Sequence, residues 1–307
     1  IEMPNVIAAC EGDGEKPTLE IIKNLGKGEY NFYNIPNIWF KLGKNIRPPK
    51  KYWKNNNTLK YDYDIFNLYE EIKITNRLAF LASRGCLYSC SHCINSKRRM
   101  ELLLFPPNEI IKQMKIAINS FGKPGSISFH DDSFPTESSW LDEFVRLYKK
   151  EIQLPFYCQI SIPLVSEKIV KQLKSAGCFE IMLGIETGCE TLRQNILNKK
   201  FKNKDIIRTV KYLKKYNINV VTMYMIGIPY ENKDTVKKTF EFNEMLSPFA
   251  SRMSIFQTYP GSSLYDMCLS NQWICENDYA DSLYEPSNSS IPYLSNNEKI
   301  EYLNSFN

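Results

Sequence analysis

The sequence contains no apolar run close to the ~20 residues that a transmembrane helix needs, and nothing in it resembles a signal peptide. It also lacks a second Cys-x2-Cys pair, which a structural zinc site usually requires. Its nine cysteines are an odd number, spread along a chain too long for a disulfide-rich miniprotein. We therefore expect a cytoplasmic protein with mostly free thiols and no membrane contact.

The chain begins with Ile rather than Met and ends without an obvious end signal, so we expect a fragment or a processed product. Its 307 residues, with 43% hydrophobic content, are enough for one large domain or two ordinary ones. The net charge of +5 is modest, and its densest basic cluster is Lys97-Arg98-Arg99. Because a nucleic-acid binder usually concentrates charge on one face, we interpret this cluster as solvated, with phosphate or an acidic reductase as alternative contacts.

Three cysteines stand close together immediately after a short apolar run, residues 78–82. Cys86, Cys90 and Cys93 have Cys-x3-Cys-x2-Cys spacing in a polar loop. Soft thiolates select iron–sulfur clusters, zinc or copper(I). A cubane cluster has four irons, so three sulfurs leave one iron open to an exogenous ligand. Zinc is the alternative, but it normally takes four ligands, and His92 adjoins Cys93 too closely to share an ion without strain.

From residue 76 onward, short apolar runs alternate six times with longer amphipathic ones. The predicted strands are residues 78–83, 126–130, 156–162, 180–186, 219–228 and 252–259. The predicted helices are residues 108–121, 138–150, 166–176, 205–216 and 235–246. This alternation predicts an α/β fold, a partial (β/α)6 TIM-type barrel of parallel strands with right-handed crossovers. Functional residues of α/β barrels gather at the carboxyl ends of the strands, where the cysteine loop is expected.

Several motifs at those predicted strand ends resemble the radical S-adenosylmethionine (SAM) family. The cysteine spacing is the family's signature, and Phe129-His130-Asp131-Asp132-Ser133-Phe134 is similar to the Phe-x-Asp-Asp-x-Phe form of its cobalamin-linked branch. Gly184-Ile185-Glu186-Thr187-Gly188 resembles Gly-Ile-Glu-Ser-Gly, and Asn198-Lys199-Lys200 stands where relatives have Asn-Lys-Gly. Gly227-Ile228-Pro229 and Pro260-Gly261-Ser262 resemble Gly-x-Pro and Pro-Gly-Thr. The resemblance covers roughly residues 76–264.

The resemblance implies cofactors and roles for individual residues. Cys86, Cys90 and Cys93 would hold a 4Fe-4S cluster, and the open iron would bind SAM, whose reductive cleavage gives a 5′-deoxyadenosyl radical. His92 would pack near the adenine, in the place where relatives have an aromatic residue. An electron donor such as flavodoxin or ferredoxin is implied, and the catalytic residues that act on the substrate remain unknown.

The remaining site residues implied by the resemblance bind other parts of SAM. Asp131 and Asp132 would hold its amino group, although two acidic residues in a turn are also common without a function. Glu186 would contact the ribose hydroxyls or the methionyl amine, and Gly227 and Pro229 would lie along the adenine edge. One departure concerns the SAM carboxylate, because Gln159 and Ser161 stand where many relatives have an arginine.

The first 75 residues are expected to form a separate segment. Residues 11–15 (Glu-Gly-Asp-Gly-Glu) precede a helical pattern that ends at Gly26, and this turn resembles the closing stretch of a cobalamin-binding domain. A phosphate loop is excluded because the Lys-Ser/Thr ending is missing. The cobalt-ligating Asp-x-His-x-x-Gly motif is absent from this sequence, so cobalamin binding stays open. A hairpin (37–46) and a linker (47–58) follow, then the core (76–264) and a polar, irregular extension (265–307).

The leading hypothesis is a radical SAM enzyme that abstracts hydrogen and then transfers a methyl group or rearranges an unknown small-molecule substrate. A tRNA-modifying, methylthiotransferase-like radical SAM protein is one alternative, although nucleic acid is not the expected partner. A zinc-stabilised interaction module without enzymatic activity is another. A family member that keeps the cluster without turnover is a third.

Overall fold

The computed structural model describes residues 5–53, 68–98, 102–275, 282–286 and 290–306. Contacts divide the chain into two compact units, Ile1–Leu59 and Lys60–Asn307. Parts of the predicted linker (47–58) lie outside the described residues. Within the described ranges, no helix is both long and apolar enough to cross a membrane.

The first unit combines one helix with a three-stranded antiparallel sheet. Its elements are β1 (Ala8–Cys10), α1 (Glu15–Gly26), β2 (Ile38–Leu42) and β3 (Asn45–Arg47). The predicted hairpin is confirmed, since β2 and β3 pair around Gly43, whose positive φ of 60° suits a tight turn. Phe32, Ile35, Ile38 and Phe40 form the small core of this unit.

The acidic turn of the first unit is tied to β2 by hydrogen bonds. Trp39 Nε1 donates to Glu11 Oε2 at 2.7 Å, and buried Asn37 Nδ2 donates to the carbonyl oxygen of Asp13 at 3.0 Å. The helix that follows the turn exposes three apolar side chains, Leu19, Ile22 and Leu25. Their spacing places them along one side of α1.

The second unit contains eight strands and ten helices among the described residues. The strands are β4 (Arg77–Phe80), β5 (Ser83–Arg84), β6 (Leu103–Leu104), β7 (Ser126–Phe129), β8 (Phe156–Gln159), β9 (Cys178–Glu186), β10 (Asn219–Ile226) and β11 (Ala250–Ile255). The helices are α2 (Leu68–Thr75), α3 (Asn95–Arg98), α4 (Pro107–Phe121), α5 (Ser138–Glu151), α6 (Glu167–Ala176), α7 (Glu190–Asn195), α8 (Asn203–Lys215), α9 (Lys233–Leu246), α10 (Ser263–Ser270) and α11 (Asn296–Phe306).

Six of these strands form one wholly parallel sheet in the order β11-β10-β9-β8-β7-β4. Spatial order therefore follows chain order, as it does when each strand is followed by a crossover to its neighbour. The predicted partial (β/α)6 barrel is confirmed. Because the strands are parallel, their carboxyl ends lie at one edge of the sheet, which also carries the cysteine loop.

Local sequence explains where the helices begin and end. In α6, the Ser166 side chain accepts a hydrogen bond from the Ile169 amide, and Gly177 ends the helix with φ of 105°. Asn232 and Thr235 form a reciprocal capping box at the start of α9. Between α5 and the sheet, the buried rings of Phe129, Phe134, Phe144 and Phe156 pack with centroids 4.8–6.2 Å apart.

Two expectations from the sequence were wrong in detail. The first barrel strand ends at Phe80 rather than at residue 83, because Ala82 donates its amide to Asp131 and accepts from Phe105 instead of continuing the sheet. The segment after residue 264 is not irregular throughout, since α11 packs on β10 and β11. Phe306 of α11 contacts the ring of Tyr224.

Candidate active site at the carboxyl edge of the sheet

The cysteine loop leaves β5 through Gly85, whose φ of 81° is accessible to glycine at little cost. Cys86, Cys90 and Cys93 are each partly exposed and free. Burial raises the pKa of the Cys86 and Cys90 thiols, and the neighbouring thiolates of the same loop raise both further. All three thiols therefore belong to one polar, partly exposed loop.

Within the described ranges, no three His, Cys, Asp or Glu side chains already stand at metal-binding positions. The donor set nevertheless suits an iron–sulfur cluster, because three thiols share one loop and are not buried in the core. His92 supports this fit. Its Nδ1 atom is buried without a hydrogen-bond partner, and burial lowers the pKa of its imidazole. A neutral ring with an unused nitrogen suits a site that awaits a ligand.

The backbone of the cysteine loop is held from two sides. The Ser91 amide donates to the carbonyl oxygen of Leu197 at 3.0 Å, and the Ser91 carbonyl oxygen accepts from the Leu264 amide at 2.9 Å. Further along the loop, Ser96 Oγ accepts from the Ser263 amide at 2.9 Å. The start of α10 and the segment after α7 therefore fix the middle of the loop.

Glu186 lies at the end of β9 in an unusual backbone conformation. The pairing with β10 shifts register between Met223 and Tyr224, and Glu186 has a positive φ of 69°. Such bulges redirect side chains and are common beside active sites. Lys199 Nζ donates to Glu186 Oε1 at 2.7 Å and to the Gly184 carbonyl oxygen at 2.9 Å.

The electrostatics of this pair keep the carboxylate charged. Burial alone would raise the pKa of Glu186, but the positive charge of Lys199 and its hydrogen bond to the carboxylate outweigh the effect of burial and lower that pKa. Lys199 also lowers the pKa of the Cys90 thiol, against a larger effect of burial. One ammonium group is therefore near both the predicted SAM ligand and a predicted cluster ligand.

Asp131 and Asp132, adjacent in sequence, occupy different environments. Asp131 is buried, and its oxygens accept from the Ala82 amide at 3.0 and 3.2 Å and from Ser83 Oγ at 2.5 Å. Burial raises the pKa of Asp131 to about 6. Asp132 is exposed, and its charge raises the pKa of Cys86. The structure therefore uses Asp131 to fix the approach to the cysteine loop and leaves Asp132 available beside it.

Gly227 and Pro229 follow β10 and are both buried. Gly227 has φ of 85°, and its amide donates to Glu231 Oε2 at 2.6 Å. A Cβ atom at Gly227 would lie 3.0 Å from Lys299 Cε, so glycine is needed for this close approach. Burial raises the pKa of Glu231 to about 8, and the Lys299 charge partly opposes that increase.

All nine predicted site residues lie on the cysteine loop or follow β7, β9 and β10 at the carboxyl edge. Their individual roles stay predictions. Sequence reasoning did not identify three groups that organise this edge: Arg193, Glu231 and Lys299. Each has the sequence setting of an ordinary exposed charge, and only tertiary contacts reveal that all three are buried. Lys199 stood within a recognised motif, but its ion pair with Glu186 was not predicted.

Comparison with known proteins identifies the class. A profile of the radical SAM superfamily matches residues 80–242, more than half of the chain. The chain belongs to this superfamily, which confirms the predicted family and its cofactors, a 4Fe-4S cluster and SAM.

Particular relatives are more distant. An uncharacterized methyltransferase of Pyrococcus horikoshii is 24% identical over 88% of this chain and 60% of its own length. The hopanoid C-2 methylase of Rhodopseudomonas palustris is 25% identical over 60% of this chain and 36% of its own length. The chain therefore spans 60% of the first relative's length and 36% of the second's.

Solved structures share the fold at low identity. The radical SAM methyltransferase TsrM of Kitasatospora setae, solved with tryptophan and a SAM analogue, has a TM-score of 0.71 and 16% identity, covering 89% of this chain and 55% of that one. The cobalamin-dependent SAM radical enzyme OxsB, solved with aqua-cobalamin and SAM, has a TM-score of 0.64 and 18% identity, covering 86% and 39%.

Proposed function

We propose that this chain contains the core of a cobalamin-associated radical SAM enzyme that transfers a methyl group to a small molecule. One observation carries the proposal: three thiols share a loop at the carboxyl edge of a parallel barrel, beside a partly buried Glu186–Lys199 ion pair. The names of the relatives, methyltransferase and methylase, support methyl transfer as the outcome.

A bound 4Fe-4S cluster would supply the electron that cleaves SAM and thereby starts hydrogen abstraction. Cys86, Cys90 and Cys93 would ligate three of its irons. Glu186, held charged by Lys199, presents a carboxylate that can accept two hydrogen bonds from a ribose diol. Asp132 is exposed beside Cys86 and suits an ammonium group such as that of SAM.

The test begins with the chain reconstituted anaerobically with iron and sulfide. We expect about four irons per chain, an electron paramagnetic resonance (EPR) signal after reduction that changes when SAM is added, and formation of 5′-deoxyadenosine. Cys90→Ala should abolish SAM cleavage, whereas Cys275→Ala removes an exposed cysteine outside the loop and should not. A signal that ignores SAM, or unchanged cleavage by Cys90→Ala, would disprove the proposal.

The same preparations separate the alternatives. A colourless protein with about one zinc per chain would establish the zinc module. A cluster without SAM cleavage would indicate a family member that has lost turnover. A tRNA mobility shift that disappears with added salt would favour the tRNA-modifying alternative.

We infer that the first segment of the chain, roughly residues 1–28, is the closing part of a cobalamin-binding domain. The acidic turn precedes α1, as expected for such a domain, and the exposed Leu19, Ile22 and Leu25 are suited to packing against more of it. TsrM has also been solved with cobalamin and a [4Fe-4S] cluster. Gel filtration of the chain with hydroxocobalamin tests the inference, since co-elution supports it. If a chain that cleaves SAM elutes without any cobalamin, this segment does not bind cobalamin by itself.

We also propose an electron donor, a cellular location and a class of substrate. A small acidic electron-transfer protein such as flavodoxin or ferredoxin is the proposed electron donor, because the sequence has a basic cluster at residues 97–99; of these, Lys97 is exposed and forms an ion pair with Asp266. A cytoplasmic location remains the prediction from the nine cysteines. We propose a small molecule as the substrate.

A further inference from the structure

A fully buried arginine stands behind the candidate site and takes no direct part in the proposed chemistry. Arg193, in α7, has no exposed surface. Its Nη1 donates to the Thr187 carbonyl oxygen at 2.7 Å, its Nη2 to Asn203 Oδ1, and its Nε to the Phe201 carbonyl oxygen at 3.5 Å. The guanidinium group also lies over the ring of Phe201, with Cζ 5.2 Å from the ring centroid.

Burial of a full charge costs free energy unless hydrogen bonds satisfy its donors. The nearest carboxylate, Glu190, is 4.0 Å away and partly exposed, so the cost is offset chiefly by hydrogen bonds to neutral groups. Arg193 thus fixes two stretches of chain relative to each other: the end of β9 at Thr187, and residues 201–203. We call residues 197–203 the connecting segment.

The connecting segment contacts the cysteine loop directly. The Leu197 carbonyl oxygen accepts from the Ser91 amide at 3.0 Å. Asn198 Nδ2 donates to the Ser89 carbonyl oxygen at 3.0 Å and contacts Ser89 Oγ at 3.3 Å. Asn198 has a positive φ of 54°, a conformation that asparagine tolerates better than most residues.

The residue that follows Asn198 in the connecting segment is Lys199, and it contacts Glu186, which is predicted to bind SAM. The Lys199 amide donates to the Arg193 carbonyl oxygen at 2.9 Å, and its Nζ donates to Glu186 Oε1 at 2.7 Å. Residues 197–199 therefore contact the cysteine loop through Asn198 and Glu186 through Lys199. The two ends of the predicted SAM site are connected by three consecutive residues.

We propose that Arg193 is a positioning residue that, through the connecting segment, sets the distance between the cysteine loop and Glu186 and thereby the affinity for SAM. This inference rests on the proposed function, because it assigns SAM to the space between the loop and Glu186. A ligand that must reach both a cluster and a carboxylate binds most tightly when the two are held at a fixed separation.

The experiment compares Arg193→Met, Arg193→Lys and Asn198→Ala in the full chain, reconstituted anaerobically. Arg208→Met, on the exposed side of α8, and Asn195→Ala, exposed on α7, are the matched controls. Iron content, the dissociation constant for SAM and the change in the EPR signal on adding SAM are measured for each. The three thiols are untouched, so all variants should retain iron close to the wild-type amount.

We expect Arg193→Met to weaken SAM binding about tenfold, as for one misplaced hydrogen-bonded contact, and to diminish the EPR change. Arg193→Lys should be intermediate because it retains the charge but loses the planar donor set. Asn198→Ala should weaken binding by about threefold, since it removes one neutral contact. The controls should match the wild type.

A role in stability alone would lower the melting temperature of Arg193→Met without altering SAM affinity or the EPR change. If Arg193→Met and Asn198→Ala each keep the wild-type SAM affinity and the wild-type EPR change, the inference is overturned and the proposed function stays intact. If Arg193→Met does not fold, the outcome for Asn198→Ala decides. A wild-type chain that shows no response to SAM would instead overturn the proposed function, and this inference with it.

Discussion

The acids at the carboxyl ends of β7 and β9 belong to one edge of the same sheet, yet the pKa values of their carboxyl groups are shifted in opposite directions. Asp131 is surrounded by neutral donors, and burial raises its pKa to about 6. Glu186 has a lysine at 2.7 Å, and its pKa is lowered despite burial. Hydrogen bonds from neutral donors leave the pKa of Asp131 raised, whereas the nearby cation at Glu186 reverses the direction of the shift.

This comparison suggests a division of labour along the edge. Asp131 organises the backbone that leads into the cysteine loop, whereas Glu186 retains a charge suited to a ligand. Glu231, after β10, belongs with Asp131, because its carboxylate accepts from the Gly227 amide and burial raises its pKa to about 8.

Glu231→Gln gives the largest expected effect, and it depends on pH. Glu231 has a folded pKa of about 8 against 4.5 as the reference for the unfolded chain, so the folded state binds more protons between these values. Stability of the wild type therefore falls as pH rises through that window, by up to about 5 kcal/mol at about 1.4 kcal/mol per pKa unit. Urea unfolding of the iron-free, reduced protein should show a flatter profile for Glu231→Gln.

The two proteins are best compared above pH 6, because the titration of Asp131 then no longer contributes to the pH dependence of the free energy of unfolding. If the free energy of unfolding changes equally with pH in the wild type and in Glu231→Gln between pH 6 and pH 8, Glu231 is already ionised in the folded protein. Glu231 would then resemble Glu186, whose carboxylate is kept charged by a nearby cation, and Lys299 would be the cation that keeps Glu231 charged.

Asp131→Ala should lower the free energy of unfolding by about 3 kcal/mol, because it leaves the Ala82 amide and the Ser83 hydroxyl buried without this acceptor. Denaturant titration at neutral pH measures the loss. Asp132→Ala is the matched control for stability, since Asp132 is exposed, and it should change the value by less than about 0.5 kcal/mol. Similar losses in the two variants would remove the distinction between the neighbouring acids.

Glu186→Gln should weaken SAM binding by about tenfold, because a neutral amide replaces a charged acceptor of ribose hydroxyl groups. Equilibrium dialysis with the reconstituted chain measures the change. Glu241→Gln, exposed on α9, serves as the control and should bind SAM as the wild type does. Unaltered affinity in Glu186→Gln would make Glu186 a partner of Lys199 only.

Lys215→Met should have the smallest effect, below about 1 kcal/mol, because its ion pair with Glu167 is exposed to solvent. The N···O distance of 2.5 Å resembles the 2.7 Å of Lys199 and Glu186, so the two pairs differ mainly in burial. Thermal unfolding of Lys215→Met and Lys199→Met tests this point. A larger loss for Lys215→Met would contradict the role we give to burial.

The sequence predicted the architecture well because periodic hydrophobicity reports local structure directly. All six barrel strands and the five helices predicted between them are present, with ends displaced by a few residues. The short strand β5 and helix α11 were missed for different reasons. β5 exists only because β6 pairs with it, and α11 lies in a polar stretch where the tertiary contacts of Tyr302 and Phe306 determine the packing.

The candidate site was predicted in outline for a similar reason. Motifs at strand ends located Cys86, Asp131, Glu186 and Gly227, and a parallel sheet necessarily brings such ends to one edge. Their environments were not predictable, because an acid's pKa depends on groups that are distant in the chain. Ser83 and Asp131 are 48 residues apart, yet their hydrogen bond determines which of two adjacent aspartates is buried.

By itself, the sequence determined the family, the order of strands and helices, and the three thiols available for a cluster, because each is encoded in residues close together along the chain. Only the tertiary structure decided that Asp131 is structural while Glu186 is paired and charged, and that Arg193 lies behind both ends of the site. Burial and the proximity of charges are properties of the folded chain, since they arise when distant segments exclude water from the same space.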